Sequence, residues 1–92
     1  MSHVVVRLPA ALRPYAEGAE RLDVAAGTLA DVIRAISGPH PQLVSRLLTP
    51  EGTLRPHVNV FVGRANARDL QGLATIVPDG AEVFILPAVA GG

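Results

Sequence analysis

Two strongly apolar segments near the two ends of the sequence constrain the fold more than any other feature. Residues 4–8 and 82–86 both have the composition of β-strands; Pro9 stops the first, and a Pro-Asp-Gly turn at 78–80 precedes the second. The most apolar strands of a sheet tend to be its central ones, so these two are expected to be neighbours. Because the rest of the chain connects them, we expect them to be parallel.

A single main helix is predicted to pack on this sheet. Thr28 and Asp31 have the spacing of a capping box, with Asp in place of the usual Glu. Apolar residues then recur at helical intervals, namely Leu29, Val32, Ile33 and Ile36. Ser-Gly-Pro at 37–39 ends this helix, and a shorter helix is expected from residue 41 to about residue 48.

The remaining segments complete a mixed sheet. A weaker strand is predicted at 20–24 after a loop around 12–18, and a clear strand at 57–62. A turn-rich step leads to a short segment near 68–69, while 73–76 is ambiguous, with a single tight turn as one interpretation. The order strand, strand, helix, short helix, strand, short strand, strand predicts an α+β fold. A mixed four- to five-stranded sheet packed on one main helix is the arrangement of a ubiquitin-like β-grasp.

Composition predicts one small domain and excludes several kinds of chemistry. The 92 residues are 49% apolar and 17% charged, which suits one β-grasp domain over 1–86 followed by a flexible tail at 87–92. With no cysteine, the chain offers no thiol nucleophile, thiolate ligand or redox pair. The net charge is zero and the eight arginines are scattered, so nucleic acid is not expected as a partner.

The sequence gives no indication of a membrane or of export. No stretch approaches the roughly 20 apolar residues that span a bilayer. Arg7 and Pro9 interrupt the apolar start before the core of a signal peptide could form. The expected compartment is therefore the cytoplasm.

Gly91 and Gly92 follow an apolar segment at 85–90 and are the best candidates for the functional residues of the chain. Two residues without a Cβ make the narrowest possible peptide, which can thread a tunnel in a partner and present a carboxylate to its active site. The reactive group predicted here is the terminal carboxylate of Gly92, with Val89, Ala90 and Gly91 as the tail that enters the partner.

A second candidate surface follows from the alternation of side chains along strands. One set is expected to face the helix: Val4, Val6, Val58, Val60, Val62, Val83 and Ile85. The opposite face would then carry Val5, Arg7, Asn59, Phe61, Phe84 and Leu86. That face is more apolar than is usual for a surface that binds nothing, and it holds both phenylalanines of the chain. We therefore predict that Phe61, Phe84, Leu86 and Val5 form a partner-docking patch, the alternative being a swapped or covered face.

The ending Leu-Pro-Ala-Val-Ala-Gly-Gly at 86–92, after the 78–80 turn and the strand at 82–86, resembles the MoaD/ThiS family of ubiquitin-like sulfur carriers. Together with Leu-Pro at 8–9 and Leu-Arg-Pro at 12–14, it is most similar to the members that supply sulfur for cysteine biosynthesis. The element order extends the resemblance over the whole chain, whereas the specific motif covers about the last fifteen residues.

The resemblance implies a carrier that is not itself an enzyme and holds no cofactor. An adenylating enzyme of the ubiquitin-activating type would activate Gly92 with ATP, and a sulfur donor would convert it to a thiocarboxylate. The implied acceptor is a PLP-dependent cysteine synthase, with a metalloprotease later trimming the new cysteine from the tail.

Three alternatives stay open. The chain could be the small subunit of molybdopterin synthase, with the large subunit as its acceptor, or could serve a thiamin precursor or a secondary metabolite. It could be a modifier conjugated through Gly92 to lysines of other proteins. It could also be a β-grasp interaction domain with an inert tail, in which case deleting Gly91 and Gly92 would change nothing.

Other polar residues are expected to have structural or solvent-facing roles. His3, His40 and His57 lie on different elements without carboxylate neighbours at ligand spacing, so we predict no metal site. Asp31, Asp69, Asp79 and Glu82 lie at a cap, beside turns or at a strand start. Solvated surface is the expectation for Arg13, Arg55, Arg64 and Arg68.

Overall fold

A computed structural model describes residues 2–87, which form a sheet packed on two helices. The strands are β1 His3–Arg7, β2 Arg21–Ala25, β3 Gly27–Thr28, β4 Val58–Val62, β5 Ala65–Asn66, β6 Ile76–Val77 and β7 Glu82–Pro87. The α-helices are α1 Leu29–Ser37 and α2 Pro41–Leu47. Short 3₁₀ helices cover Ala10–Ala16, Ala67–Asp69 and Gly72–Ala74.

The main sheet has five strands in the order β2-β1-β7-β4-β5. The pairing of β1 with β7 is parallel, whereas β1 with β2, β7 with β4 and β4 with β5 are antiparallel. The first and last strands are therefore parallel neighbours in the interior of the sheet, as their apolar composition predicts. The α+β class and the mixed sheet over a main helix are both confirmed.

Helix α1 begins at the predicted capping box. The Asp31 backbone N–H donates to Thr28 Oγ1 at 3.1 Å, and the Thr28 N–H donates to Asp31 Oδ2 at 3.1 Å. These hydrogen bonds from Thr28, followed by the positive charge of Arg34, lower the pKa of the Asp31 carboxyl below its ordinary value. The four apolar residues predicted for the inner side of α1 are all buried. The cap and the apolar stripe thus fix where the helix starts and which side faces the sheet.

The hydrophobic core lies between the helices and one face of the sheet. The strand residues buried there are Val4, Val6, Val58, Val60, Val83 and Ile85, with Val62 partly buried against them. The predicted assignment of the two sheet faces is therefore confirmed. Leu43 and Leu47 of α2 and Leu12 of the first 3₁₀ helix are buried in the same core.

Two segments are more regular than the sequence predicted. The segment 12–18, for which the sequence predicts a loop, contains part of a 3₁₀ helix that buries Leu12 and Ala16 and ends at Glu17 and Gly18, whose φ angles are 57° and 85°. Residues 72–74 form a 3₁₀ turn, and β6 then pairs with β3 in a second, two-stranded sheet. The 3₁₀ helix depends on the burial of its apolar side chains, and the small sheet depends on pairing with a distant segment of backbone. Local composition indicates neither the burial nor the pairing.

Three of the four arginines expected at the solvated surface also bind backbone carbonyls through their guanidinium groups, and Arg68 is itself exposed. Arg13 Nε donates to the Leu8 carbonyl at 3.1 Å, and Arg55 Nε donates to the Ser45 carbonyl at 3.1 Å. Arg68 Nη2 donates to two carbonyls, those of Arg55 at 2.6 Å and Val58 at 2.7 Å. Each of these hydrogen bonds links an arginine side chain to the backbone of another segment, which adds to the pairing of backbone carbonyls.

Candidate functional site

The sheet face opposite the core carries an aromatic pair at its centre. Phe61 of β4 and Phe84 of β7 are direct partners in the antiparallel register, and Asn59 is opposite Leu86. Both phenylalanines are half-buried and do not pack against the core, while Leu86 is 47% exposed. Large apolar side chains that lie at the surface, outside the core, are typical of an interaction patch.

Polar groups border the aromatic pair. Arg7 of β1 is the register partner of Phe84 in the parallel ladder, and its Nε donates to Glu82 Oε2 at 2.6 Å. Both side chains of this ion pair are about half exposed, at 47% and 43%. On the other side, Asn66 Nδ2 donates to Asn59 Oδ1 at 3.3 Å. The face therefore has an apolar centre with a polar edge, which is the usual composition of a protein interface.

Three of the four predicted docking residues are on neighbouring strands, and the fourth is next to them. Phe61, Phe84 and Leu86 belong to the β4 and β7 pair, and Val5 on β1 is the register partner of Glu82. The Arg7–Glu82 ion pair on this face was not predicted, because Glu82 was assigned only a structural role at a strand start. Local sequence gives no signal for a pair whose members are separated by 75 positions.

The last strand directs the chain from this sheet toward its diglycine. Pro87 is the register partner of Val58 at the end of β7, and residues 88–92 continue from it. Val89, Ala90, Gly91 and Gly92 lie outside the described residues, so their predicted role stays a prediction. An extended chain rises about 3.3–3.6 Å per residue, which limits the reach of five residues to roughly 17 Å beyond Pro87.

Within residues 2–87, the structure brings together no group of three His, Asp or Glu side chains that could hold a metal ion. His3 lies at the start of β1, His40 precedes α2, and His57 precedes β4. Over the same residues, the helices are too short or too polar to cross a bilayer.

Fold and site together define a ubiquitin-like β-grasp protein with an exposed sheet face and a diglycine tail. The comparison with protein families makes this more specific, since the ThiS family matches residues 6–92. The chain belongs to the ThiS family.

Individual relatives point to sulfur carriers. The sulfur carrier protein CysO of Mycobacterium tuberculosis is 38% identical over 92 residues, covering 98% of this chain and 99% of the relative. The crystal structure of CysO from the same organism has a TM-score of 0.87 at 36% identity, covering 94% of this chain and 99% of that one. The Amycolatopsis orientalis BexX/CysO complex gives a TM-score of 0.90 at 34% identity, with coverage of 97% and 99%.

A second kind of relative is named as a modifier. Small archaeal modifier protein 3 of Haloferax volcanii is 38% identical over 65 residues, covering 71% of this chain and 70% of the relative. The family thus includes proteins named for two different uses of the same fold.

Proposed function

We propose that this protein is a sulfur carrier whose terminal carboxylate on Gly92 becomes a thiocarboxylate. The observation that carries the proposal is the near full-length similarity to proteins named sulfur carriers, in a family match that extends to Gly92. The narrow Gly91-Gly92 ending supports it, because only such a peptide passes a tight channel to a partner's active site.

The chemistry proceeds in two steps on the partner. A carboxylate is a poor electrophile, so ATP first converts Gly92 to an acyl-adenylate with release of pyrophosphate. Hydrosulfide from a sulfur donor then attacks the acyl carbon and displaces AMP, which leaves the thiocarboxylate without net oxidation or reduction. The chain supplies the terminal carboxylate that is modified, and the adenylating enzyme supplies catalysis. We therefore assign this protein no enzymatic activity of its own.

We further propose cysteine biosynthesis as the destination of the sulfur. The thiocarboxylate sulfur would form a bond to the β-carbon of an activated serine derivative held by a PLP-dependent cysteine synthase, with departure of the activated oxygen substituent, so that the new cysteine is joined to Gly92 as a thioester. The new cysteine would stay attached to Gly92 until a metalloprotease releases it. The support for cysteine biosynthesis is the similarity to CysO. The competing acceptor is the large subunit of a molybdopterin synthase. We place the cycle in the cytoplasm, where adenylation has access to ATP.

The sheet face around Phe61 and Phe84 is our proposed docking surface for the adenylating or acceptor enzyme. Its support is the half-buried aromatic pair outside the core, next to the strand that leads to the tail. Further support comes from a related carrier, CysO of Amycolatopsis orientalis, which has been crystallised in complex with BexX.

The test is the intact mass of the protein purified from its native host under non-oxidising conditions, with fragmentation of the C-terminal peptide. A gain equal to replacing one oxygen by sulfur, confined to Gly92, establishes the carrier. A cysteine attached at Gly92 establishes the pathway as well. A variant lacking Gly91 and Gly92 serves as control and must show neither species.

A modifier function is the second candidate, favoured by the similarity to small archaeal modifier protein 3. It predicts that Gly92 is found in isopeptide linkage to lysines of other proteins. An unmodified Gly92 together with such remnants in the host proteome would replace the carrier proposal by the modifier.

A further inference from the structure

A basic cleft lies beside the point where the chain leaves the sheet. The cleft has a volume of about 480 Å³ and is lined by Ser45, Arg46, Arg55 and His57. His57 directly precedes Val58, whose register partner is Pro87. The cleft is therefore at the end of the sheet from which the chain continues toward Gly92.

Contacts on the carrier itself hold the two cleft arginines in place. The Arg46 guanidinium lies over the Tyr15 ring, 4.5 Å from its centroid. Arg55 uses Nε for the Ser45 carbonyl, and its two terminal nitrogens make no hydrogen bond to residues 2–87. Each guanidinium thus has a restricted position and still presents free donors, which lowers the entropy lost when a ligand binds.

Arg68 adds positive charge and stiffens the cleft wall. Its guanidinium bridges the carbonyls of Arg55 and Val58, the residues on either side of His57 in the wall. These hydrogen bonds tie the segment at 55–58, which includes Arg55 and His57 of the cleft, to the 3₁₀ helix Ala67–Asp69.

The cleft has no acidic partner within the described part of the chain. The ion pairs found over residues 2–87 are Arg7 with Glu82 and Arg34 with Asp31, and neither touches the cleft. The chain as a whole has zero net charge, so its eight acidic residues compensate the arginines elsewhere. The result is a local positive field in a neutral protein, which attracts and orients an anionic partner.

We propose that the basic cleft binds an acidic segment, carrying Asp or Glu side chains, of the protein that takes up the Gly92 end. This inference rests on the proposed function, since a partner that takes Gly92 comes within five residues of Pro87, at the end of the sheet beside the cleft. Guanidinium groups bind carboxylates through paired hydrogen bonds. A nucleotide phosphate fits less well, because the lining offers side chains without the glycine-rich cradle of backbone N–H groups typical of phosphate sites.

The direct test is a titration of the full-length ¹⁵N-labelled protein with acetylated hexaglutamate at low ionic strength. We expect saturable shifts of the amide signals of the cleft residues and at least a fivefold weaker affinity in R46Q/R55Q. The control is R21Q/R64Q, which removes the same charge from β2 and from the turn after β4 and should bind like the wild type. Should R46Q/R55Q unfold, R46Q alone suffices, because the Arg46 guanidinium makes no hydrogen bond or ion pair within residues 2–87 and lies over the Tyr15 ring.

Three outcomes would overturn the proposal. Amide shifts spread evenly over the surface would mean general charge attraction. Equal losses of hexaglutamate affinity in R46Q/R55Q and R21Q/R64Q would mean the same. Tighter binding of inorganic pyrophosphate than of hexaglutamate at the cleft would make it a phosphate site instead.

A second experiment separates this inference from the proposed function. ATP–pyrophosphate exchange by the host's adenylating enzyme should show at least a fivefold higher KM for R46Q/R55Q with kcat unchanged, and no change for R21Q/R64Q. Exchange with an unchanged KM overturns the cleft and leaves the carrier function in place. Absence of exchange with the wild type counts against the carrier function, and the hexaglutamate titration then decides the cleft.

Discussion

Phe61 and Phe84 lie directly opposite each other on the antiparallel strands β4 and β7, on the sheet face away from the core. Their immediate chain neighbours Val60, Val83 and Ile85 are almost completely buried on the other face. One pair of strands therefore supplies both the central core and the centre of the proposed docking surface, and the two roles can be separated by substitution.

The aromatic pair should matter more for partner binding than for the fold. We expect Phe61→Ala and Phe84→Ala each to lower the free energy of unfolding by only about 1–2 kcal/mol, because each ring keeps partial solvent contact. Binding to the adenylating enzyme should weaken at least tenfold. Urea unfolding and calorimetric titration measure the two effects, and loss of the folded state in either variant would contradict the docking assignment.

Adjacent residues of β7 should lose different amounts of stability on truncation. Ile85→Ala opens a cavity in the core and is expected to cost about 2–5 kcal/mol of unfolding free energy. Leu86→Ala removes a side chain that is 47% exposed and should cost less than about 1 kcal/mol. Denaturant midpoints of the two variants provide the comparison, and equal losses would mean that the assignment of sheet faces is wrong.

The capping box should contribute to stability in a pH-dependent way. The folded pKa of Asp31 is lowered, chiefly by the hydrogen bonds from Thr28. Its stabilising effect is therefore complete above the ordinary carboxyl pKa of 3.8 and is lost as the pH falls through the lower folded pKa. Asp31→Asn should be less stable than the wild type at neutral pH, with the difference shrinking below about pH 4.

Thermal unfolding across this pH range checks the capping prediction. Asp23→Asn is the matched control, since the Asp23 side chain on β2 makes no hydrogen bond within residues 2–87. A constant gap between Asp31→Asn and the wild type at all pH values would show that the carboxylate charge is not what stabilises the cap.

The ion pair between Arg7 and Glu82 should contribute little to stability despite its short distance. Both side chains are about half exposed, so water screens their attraction, and Glu82→Gln should cost less than about 1 kcal/mol. Raising the salt concentration should reduce even this difference. A loss of several kcal/mol in urea unfolding would indicate that the pair is effectively buried.

The sequence alone predicted the main sheet, the start of α1 and the two sheet faces. Each depends on a local pattern with a direct physical cause. Period-two alternation assigns strand side chains to opposite faces, and the Thr28–Asp31 spacing satisfies the free N–H groups at a helix start. The same reasoning placed the proposed reaction at Gly92, because an unbranched glycine ending is a property of composition and position.

The small sheet of β3 and β6 and the 3₁₀ helix Ala10–Ala16 could not be predicted in this way. The pairing of Gly27 with Val77 joins segments separated by about half of the chain, and no local pattern specifies it. Short 3₁₀ turns likewise depend on whether residues such as Leu12 find a place in the core.

By itself, the sequence determined the order and character of the elements and the nature of the terminal group. Only the tertiary structure decided which charges meet. It brought Arg7 to Glu82 on the aromatic face, and gathered Arg46, Arg55 and His57 beside the end of β7 without an acidic partner among residues 2–87. The interaction between two charges depends on the distance between them in space. The sequence gives only their separation along the chain, and in the folded protein the two are not related.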